Sequence, residues 1–221
     1  MNRLITIIFL IFLTTSPAFS QKTCESILSL SAADQVLDQI ERKYKDIRTL
    51  KANFKQVSKH LSLNVTEQSS GLMYSKTGFG SRWSYINPEV QDFIIKNNDL
   101  YLYQEFEEQL LIDKASKFLI TDAPLRFIEG ISDIREQFML TKGCKTGKNE
   151  YLLSFKSKKN SALSEFILGV DATHLPVYSL IKDIEGNINE VYLSNLNINL
   201  SLNDKEILPK FPKGIDIIDK R

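Results

Sequence analysis

Two histidines, His60 and His174, and two cysteines, Cys24 and Cys144, are what this 221-residue chain offers to metal or nucleophile chemistry. The histidines stand far apart, and neither lies in a His-Glu-x-x-His or comparable spacing, so a zinc centre or a Ser-His or Cys-His dyad has little to be built from. Gly-x-Ser-x-Gly, Gly-x-x-x-x-Gly-Lys-Ser/Thr and Gly-x-Gly-x-x-Gly patterns are all missing from the sequence. The carboxylates of Glu107 and Glu108 fall in a polar turn, where solvated charge is the ordinary reading rather than paired acid and base. Asn64-Val65-Thr66 fits a glycosylation tripeptide, a common pattern that carries little weight. No catalytic residue, no metal and no cofactor is expected, and the chain reads as a binding protein. The rival reading is an enzyme acting on envelope lipids, which would need the fold to bring a nucleophile and a base together.

The chemistry that remains is contact by apolar area. Residues 81–104, SRWSYINPEVQDFIIKNNDLYLYQ, hold Trp83, Tyr85, Phe93, Tyr101 and Tyr103, broken by Asn87-Pro88 and Asn97-Asn98. In a strand, positions two apart share a face, so 83 with 85 and 93 with 95 form two pairs that can lie on one wall.

The elements that must position this wall follow from periodicity. Ala33, Val36, Leu37, Ile40, Tyr44 and Ile47 recur every three or four residues behind a Ser31–Asp34 capping pattern, which predicts an amphipathic helix over 32–48. From Leu50 onward the period is two. Strands are expected at 51–61, 65–75, 81–86, 91–97, 99–104 and 108–113, and again at 136–142, 150–156, 163–170, 176–184, 188–199 and 205–209, with Gly, Pro, Asn and Asp between them. Between the two runs, residues 114–134 interrupt the pattern. Asp122 caps and Pro124 opens a short helix there, Leu125, Phe127 and Ile128 give it an apolar face, and Gly130 stops it. Residues 210–221 form a C-terminal tail. The fold class is α+β, mainly β: a wide antiparallel sheet that twists and curls, with few helices to cover it. Either a cavity or a fully packed core can fill the space between.

The first 20 residues stand apart. Arg3, the apolar run Leu4–Leu13 and the small residues of Ala18-Phe19-Ser20 read as a cleavable secretory signal peptide, the run being too short for a membrane span of about 20 residues. Cleavage removes only Arg3 from the charged residues, which brings the 28 basic residues level with the 27 acidic ones. Such a balance does not favour a nucleic-acid partner, and the cluster Lys156-Ser157-Lys158-Lys159 reads as a solvated hairpin tip. Residues 21–221 carry no linker or repeat and are read as one domain. In an oxidising compartment Cys24 and Cys144 are candidates for a disulfide, the alternative being two free buried thiols.

Taken in order, several short motifs resemble the LolA family of periplasmic outer-membrane lipoprotein carriers. They are Ile47-Arg48-Thr49-Leu50, then Ala52-Asn53-Phe54-Lys55-Gln56, Gly71-Leu72-Met73-Tyr74-Ser75-Lys76, Arg82-Trp83-Ser84-Tyr85 with Pro88 and Gln91, Leu100-Tyr101-Leu102-Tyr103, Pro124-Leu125, and Phe211-Pro212-Lys213-Gly214-Ile215-Asp216-Ile217-Ile218-Asp219. The resemblance implies an incomplete, strongly curved antiparallel half-barrel under a lid of short helices, a monomer in the Gram-negative periplasm. It implies a chaperone that takes acylated lipoproteins from an ATP-driven release complex in the inner membrane to a receptor lipoprotein in the outer membrane. Phe54, Trp83, Tyr85, Phe93, Ile95, Leu125, Phe127 and Ile128 are then the expected acyl-chain lining, though each fits ordinary core packing equally. Family members place a lid-tethering arginine where this chain has Thr77, so Thr77 and Arg82 are the two latch candidates. The alternative reading is an exported lipid- or protein-binding module of the same fold, a glycolipid carrier or a signalling sensor domain.

Overall fold

The computed structural model describes residues 24–117, 134–147, 150–158 and 163–221. The signal segment 1–20 and the lining candidates Leu125, Phe127 and Ile128 lie outside the described residues.

Period-two patterning produces the strands at nearly the places it predicts. In chain order they are β1 (Ser26–Leu28), β2 (Thr49–His60), β3 (Val65–Lys76), β4 (Gly80–Asn87), β5 (Gln91–Lys96), β6 (Asp99–Gln104) and β7 (Gln109–Lys114). They continue with β8 (Phe138–Thr146), β9 (Glu150–Ser157), β10 (Leu163–Val170), β11 (Pro176–Asp183), β12 (Ile188–Ile198) and β13 (Asp216–Asp219). All belong to one sheet in the order β1-β8-β9-β10-β11-β12-β2-β3-β4-β5-β6-β7-β13. Two meanders, β2 to β7 and β8 to β12, are therefore joined side by side where β12 pairs with β2. Every pairing is antiparallel except that of β13 along β7. Because β1 and β13 are the two ends of the order, the sheet is open rather than closed.

The helix α1 (Leu30–Lys45) packs its buried residues Ala33, Leu37 and Ile40 onto one face of this sheet, called the inner face here. Its N-cap is Ser29, whose Oγ accepts from the Ala32 N–H at 3.2 Å, so the expected cap at Ser31 and the expected end at 48 are both corrected. Ser29 captures an otherwise orphaned N–H earlier in the chain, and at the far end Ile47 is already buried in the turn that leads into β2. Helix and sheet approach closely at Ala33 and Gly143, where a Cβ added to the glycine would run into Ala33 Cβ.

Three further differences have local causes. Residues 204–207 form a one-turn helix, α3 (Asp204–Ile207), instead of a strand over 205–209. Asn203 and Glu206 close a capping box around it, a signal that outweighs the short alternation Ile207-Leu208. Another short helix, α2 (Ile134–Gln137), occupies the start of the expected strand 136–142, and β8 begins after it. The edge strands β1 and β13 have no counterpart among the expected strands, since three or four residues are too few to show a period. The disulfide Cys24–Cys144, with Cα atoms 5.7 Å apart, joins the residue two before β1 to Cys144 of β8, the partner of Ile27 in the β1–β8 ladder, and closes a separation of 120 residues. In the chain-entropy model a loop of that length is worth about 5 kcal/mol.

Substituting Gly143→Ala forces α1 outward from β8. The expected cost is about 1–3 kcal/mol, measured as a lower urea midpoint at unchanged slope.

Candidate ligand-binding site

The inner face is built row by row from strand register. Ala52, Met73, Trp83 and Phe93 oppose one another across β2, β3, β4 and β5, and Phe54, Gly71 and Tyr85 form the neighbouring row. Gly71 lets both the β4 backbone and the Phe54 ring close in, for a Cβ there would run into the Ser84 carbonyl oxygen and meet Phe54 Cε1 at 2.9 Å. The rings then meet edge to face: Phe54 on Trp83 at 4.9 Å, Phe54 on Tyr85 at 4.8 Å and Tyr85 on Phe93 at 5.5 Å between centroids. Such contacts are worth about 0.5–1.5 kcal/mol each beyond burial. Trp83 is 0% exposed, Phe54, Tyr85 and Ile95 are buried, and Phe93 is half-buried. All five join the cluster that includes Ala33, Leu37 and Ile40 of α1.

Two polar atoms interrupt the apolar wall. Tyr85 Oη donates to Gln56 Oε1 at 2.6 Å. The Trp83 indole Nε1 is buried with no acceptor among the described residues.

The latch candidates occupy other places. Arg82 points to the outer face, since it alternates with Trp83 on β4. Its Nε and Nη2 bond both oxygens of buried Asp92, at 2.7 and 2.8 Å, and Nη1 donates to the Glu206 carbonyl at 3.1 Å. Around this fork Tyr74, Ile94, Leu202 and Ile207 form a second core beneath α3. Lys76 adds an ion pair to Asp204 at 2.6 Å. Thr77 donates its hydroxyl to the Ile47 carbonyl at 2.9 Å and its N–H to the Arg48 carbonyl, which ties the β3–β4 turn to the connection between α1 and β2.

A different arginine grips α1. Arg135, on α2 directly after residues 118–133, bonds Asp34 at 2.6 Å, Asp38 at 2.5 Å and Glu41 at 3.0 Å. Those three carboxylates share one stripe of the helix. Burial works against the Arg135 charge, but the bonds to Asp34 and Glu41 outweigh it and raise the guanidinium pKa. The acidic stripe was the signal in the sequence, but nothing there said which arginine would meet it. A cavity of about 650 Å³ opens beside this clamp, lined by Tyr44, Ile47, Leu50, Gly80, Ser81 and Arg135 among others. A second, of about 520 Å³, lies at the other end of β2 and is lined by Gln56, Ser58, Leu163, Ile181 and Asn189 among others. On the outer face Tyr178 and Tyr192 both donate to Glu190, and burial first, then the Glu190 carboxylate, raises both hydroxyl pKa values. Among the described residues no group of three or more His, Cys, Asp and Glu is placed to hold a metal ion.

A family model described as outer membrane lipoprotein carrier protein LolA matches residues 45–207. The chain belongs to that family. Its curated relatives include an outer-membrane lipoprotein carrier protein of Legionella pneumophila (strain Corby), 26% identical over 219 residues that cover 99% of each chain. Another of the same description, from Halorhodospira halophila, is 25% identical over 195 residues, 87% of this chain and 90% of that one. Among solved structures, an uncharacterized conserved protein from Thermus thermophilus superposes with a TM-score of 0.57 at 13% identity, covering 86% of this chain and 99% of that chain. MucB does so with a TM-score of 0.53 at 12% identity, covering 85% and 66%. At such identities the likeness is one of fold.

Arg82→Leu strands Asp92 as a buried, unpaired carboxylate, and the expected loss is about 3 kcal/mol. The double variant Arg82→Leu/Asp92→Leu is expected to recover most of it. Urea unfolding of the three proteins reads the difference directly.

Proposed function

We propose that this LolA-family protein is a periplasmic chaperone that holds the acyl chains of lipoproteins between the inner face of its sheet and a lid made by the insert 114–134. The observation that carries the reading is the wall of Phe54, Trp83, Tyr85 and Phe93, apolar rings set side by side on the same face of the sheet that α1 packs against elsewhere. Membership of the family, matched over residues 45–207, supports it.

The physical need is simple. Each methylene left in water costs about 0.8 kcal/mol, and three long chains carry about 40, so free passage of a triacylated protein costs on the order of 30 kcal/mol. Aromatic and aliphatic side chains remove that cost by area alone, which suits cargo proteins with unrelated sequences. The wall makes three ring contacts with itself, and in this reading it exchanges them for contacts with the ligand. Loading and release are then a shift between two states of similar free energy.

In this reading Leu125, Phe127 and Ile128 complete the lining, and the Arg135 grip on Asp34, Asp38 and Glu41 fixes one end of the insert to α1 while the rest opens. Residues 1–20 direct export and are cleaved. Cargo arrives from an ATP-driven release complex in the inner membrane and leaves to a receptor lipoprotein in the outer membrane, which draws the chains across by binding them more tightly. The protein works as a monomer and performs no bond chemistry.

Leu125→Glu places a charge in the lining and is expected to lower the lipoprotein that co-purifies with the protein at least tenfold, with the thermal midpoint unchanged. Undiminished co-purification overturns the lining.

A further inference from the structure

Along β2 the inner face changes character. Leu50, Ala52 and Phe54 are apolar and buried, whereas Gln56 and Ser58, the next two positions on the same face, are polar and half-buried. Register sets Gln56 opposite Val191 and Ser58 opposite Asn189 of β12, so Asn189 joins the same face. The three side chains converge: Gln56 Nε2 donates to Ser58 Oγ at 3.2 Å, and Asn189 Nδ2 donates to the same oxygen at 3.4 Å. Tyr85 occupies the remaining end of the chain by donating to Gln56 Oε1. The result links the aromatic wall to the rim through one line of hydrogen bonds.

That line is incomplete. Asn189 Oδ1 is buried and has no partner among the described residues, a costly state for an amide oxygen. On the donor side, Gln56 Nε2 carries a second N–H and Ser58 Oγ a hydroxyl proton. All three residues line the cavity of about 520 Å³, whose apolar side is Leu163 and Ile181, members of the inner core cluster. Its volume is within the roughly 300–1,000 Å³ usual for small-molecule sites.

We propose that Gln56, Ser58 and Asn189 bind the polar junction of the cargo, the secondary amide through which an acyl chain joins the terminal cysteine of a lipoprotein. This rests on the carrier reading above and assigns a direction to it. A secondary amide presents one N–H and one C=O, which answer an open acceptor and nearby donors, whereas an ester presents no N–H. The acyl chain runs from the junction along Tyr85 and Phe54 toward Trp83. The polypeptide leaves past the rim residues Lys59, Glu67 and Asp183. The site therefore distinguishes lipoprotein from triglyceride and other esters that offer the same hydrocarbon.

The test uses the mature chain and two soluble probes, a cysteine lipopeptide carrying three octanoyl chains, one of them amide-linked, and trioctanoylglycerol, with affinity measured by displacement of a fluorescent fatty acid. The wild type is expected to favour the lipopeptide about tenfold, the scale of one well-placed hydrogen bond. Asn189→Leu is expected to abolish that preference by weakening lipopeptide binding and leaving trioctanoylglycerol unchanged, and Ser58→Ala, a milder change, to reduce it. Equal affinity of the wild type for both probes, or equal weakening of both by either variant, overturns the amide site and leaves the carrier reading standing. Failure of both probes and of the fatty acid to bind overturns the carrier reading itself.

Discussion

One mismatch of size governs this molecule. The helix α1 has 16 residues and is about 24 Å long, while 13 strands set side by side span about 58 Å across the sheet. An inner face that is apolar over most of its rows cannot be covered by one helix of that length. Its remaining surface is met in part by its own rings, Phe54 against Trp83 and Tyr85 against Phe93, which pack sideways on one another. The outer face solves the same difficulty differently. The segment from Leu200 to Phe211 packs on it, where Arg82, braced by Asp92, donates to the Glu206 carbonyl and Lys76 pairs with Asp204.

The two faces therefore have different mechanical characters. On the outer face, the bidentate Arg82–Asp92 pair has defined geometry, and breaking it leaves a buried charge, so that side resists change. On the inner face the contacts are non-directional, and one ring can be replaced by a methylene chain at little net cost. A protein that must accept and surrender greasy cargo needs this division: one face that sets the shape, and one that can be reoccupied. Fold alone does not confer it, for an architecture can host unrelated functions.

Much of this was legible in the residues because strand periodicity is strong wherever one face is buried and the other wet. Trp83 with Tyr85 and Phe93 with Ile95 fall on a common face for that reason alone. The sequence left open what depends on partners distant along the chain. Alternation with Trp83 sends Arg82 to the outer face, where it meets Asp92 of β5, but its bond to the Glu206 carbonyl, 124 residues onward, depends on the position of α3. The Arg135 clamp is likewise invisible until α1 and α2 are brought together. Short elements also escaped, because β1 and β13 owe their existence to the edges they pair with, and α3 to a capping box that a strand-like alternation masks.

In the proposed mechanism the inner face is the surface that takes up hydrocarbon. The most direct measurement is photo-crosslinking with a lipopeptide whose acyl chain carries a diazirine, followed by mass-spectrometric location of the label. Adducts on Phe54, Trp83, Tyr85 and Phe93 are the predicted result. Labels confined to outer-face residues such as Tyr74 and Ile94 would contradict it.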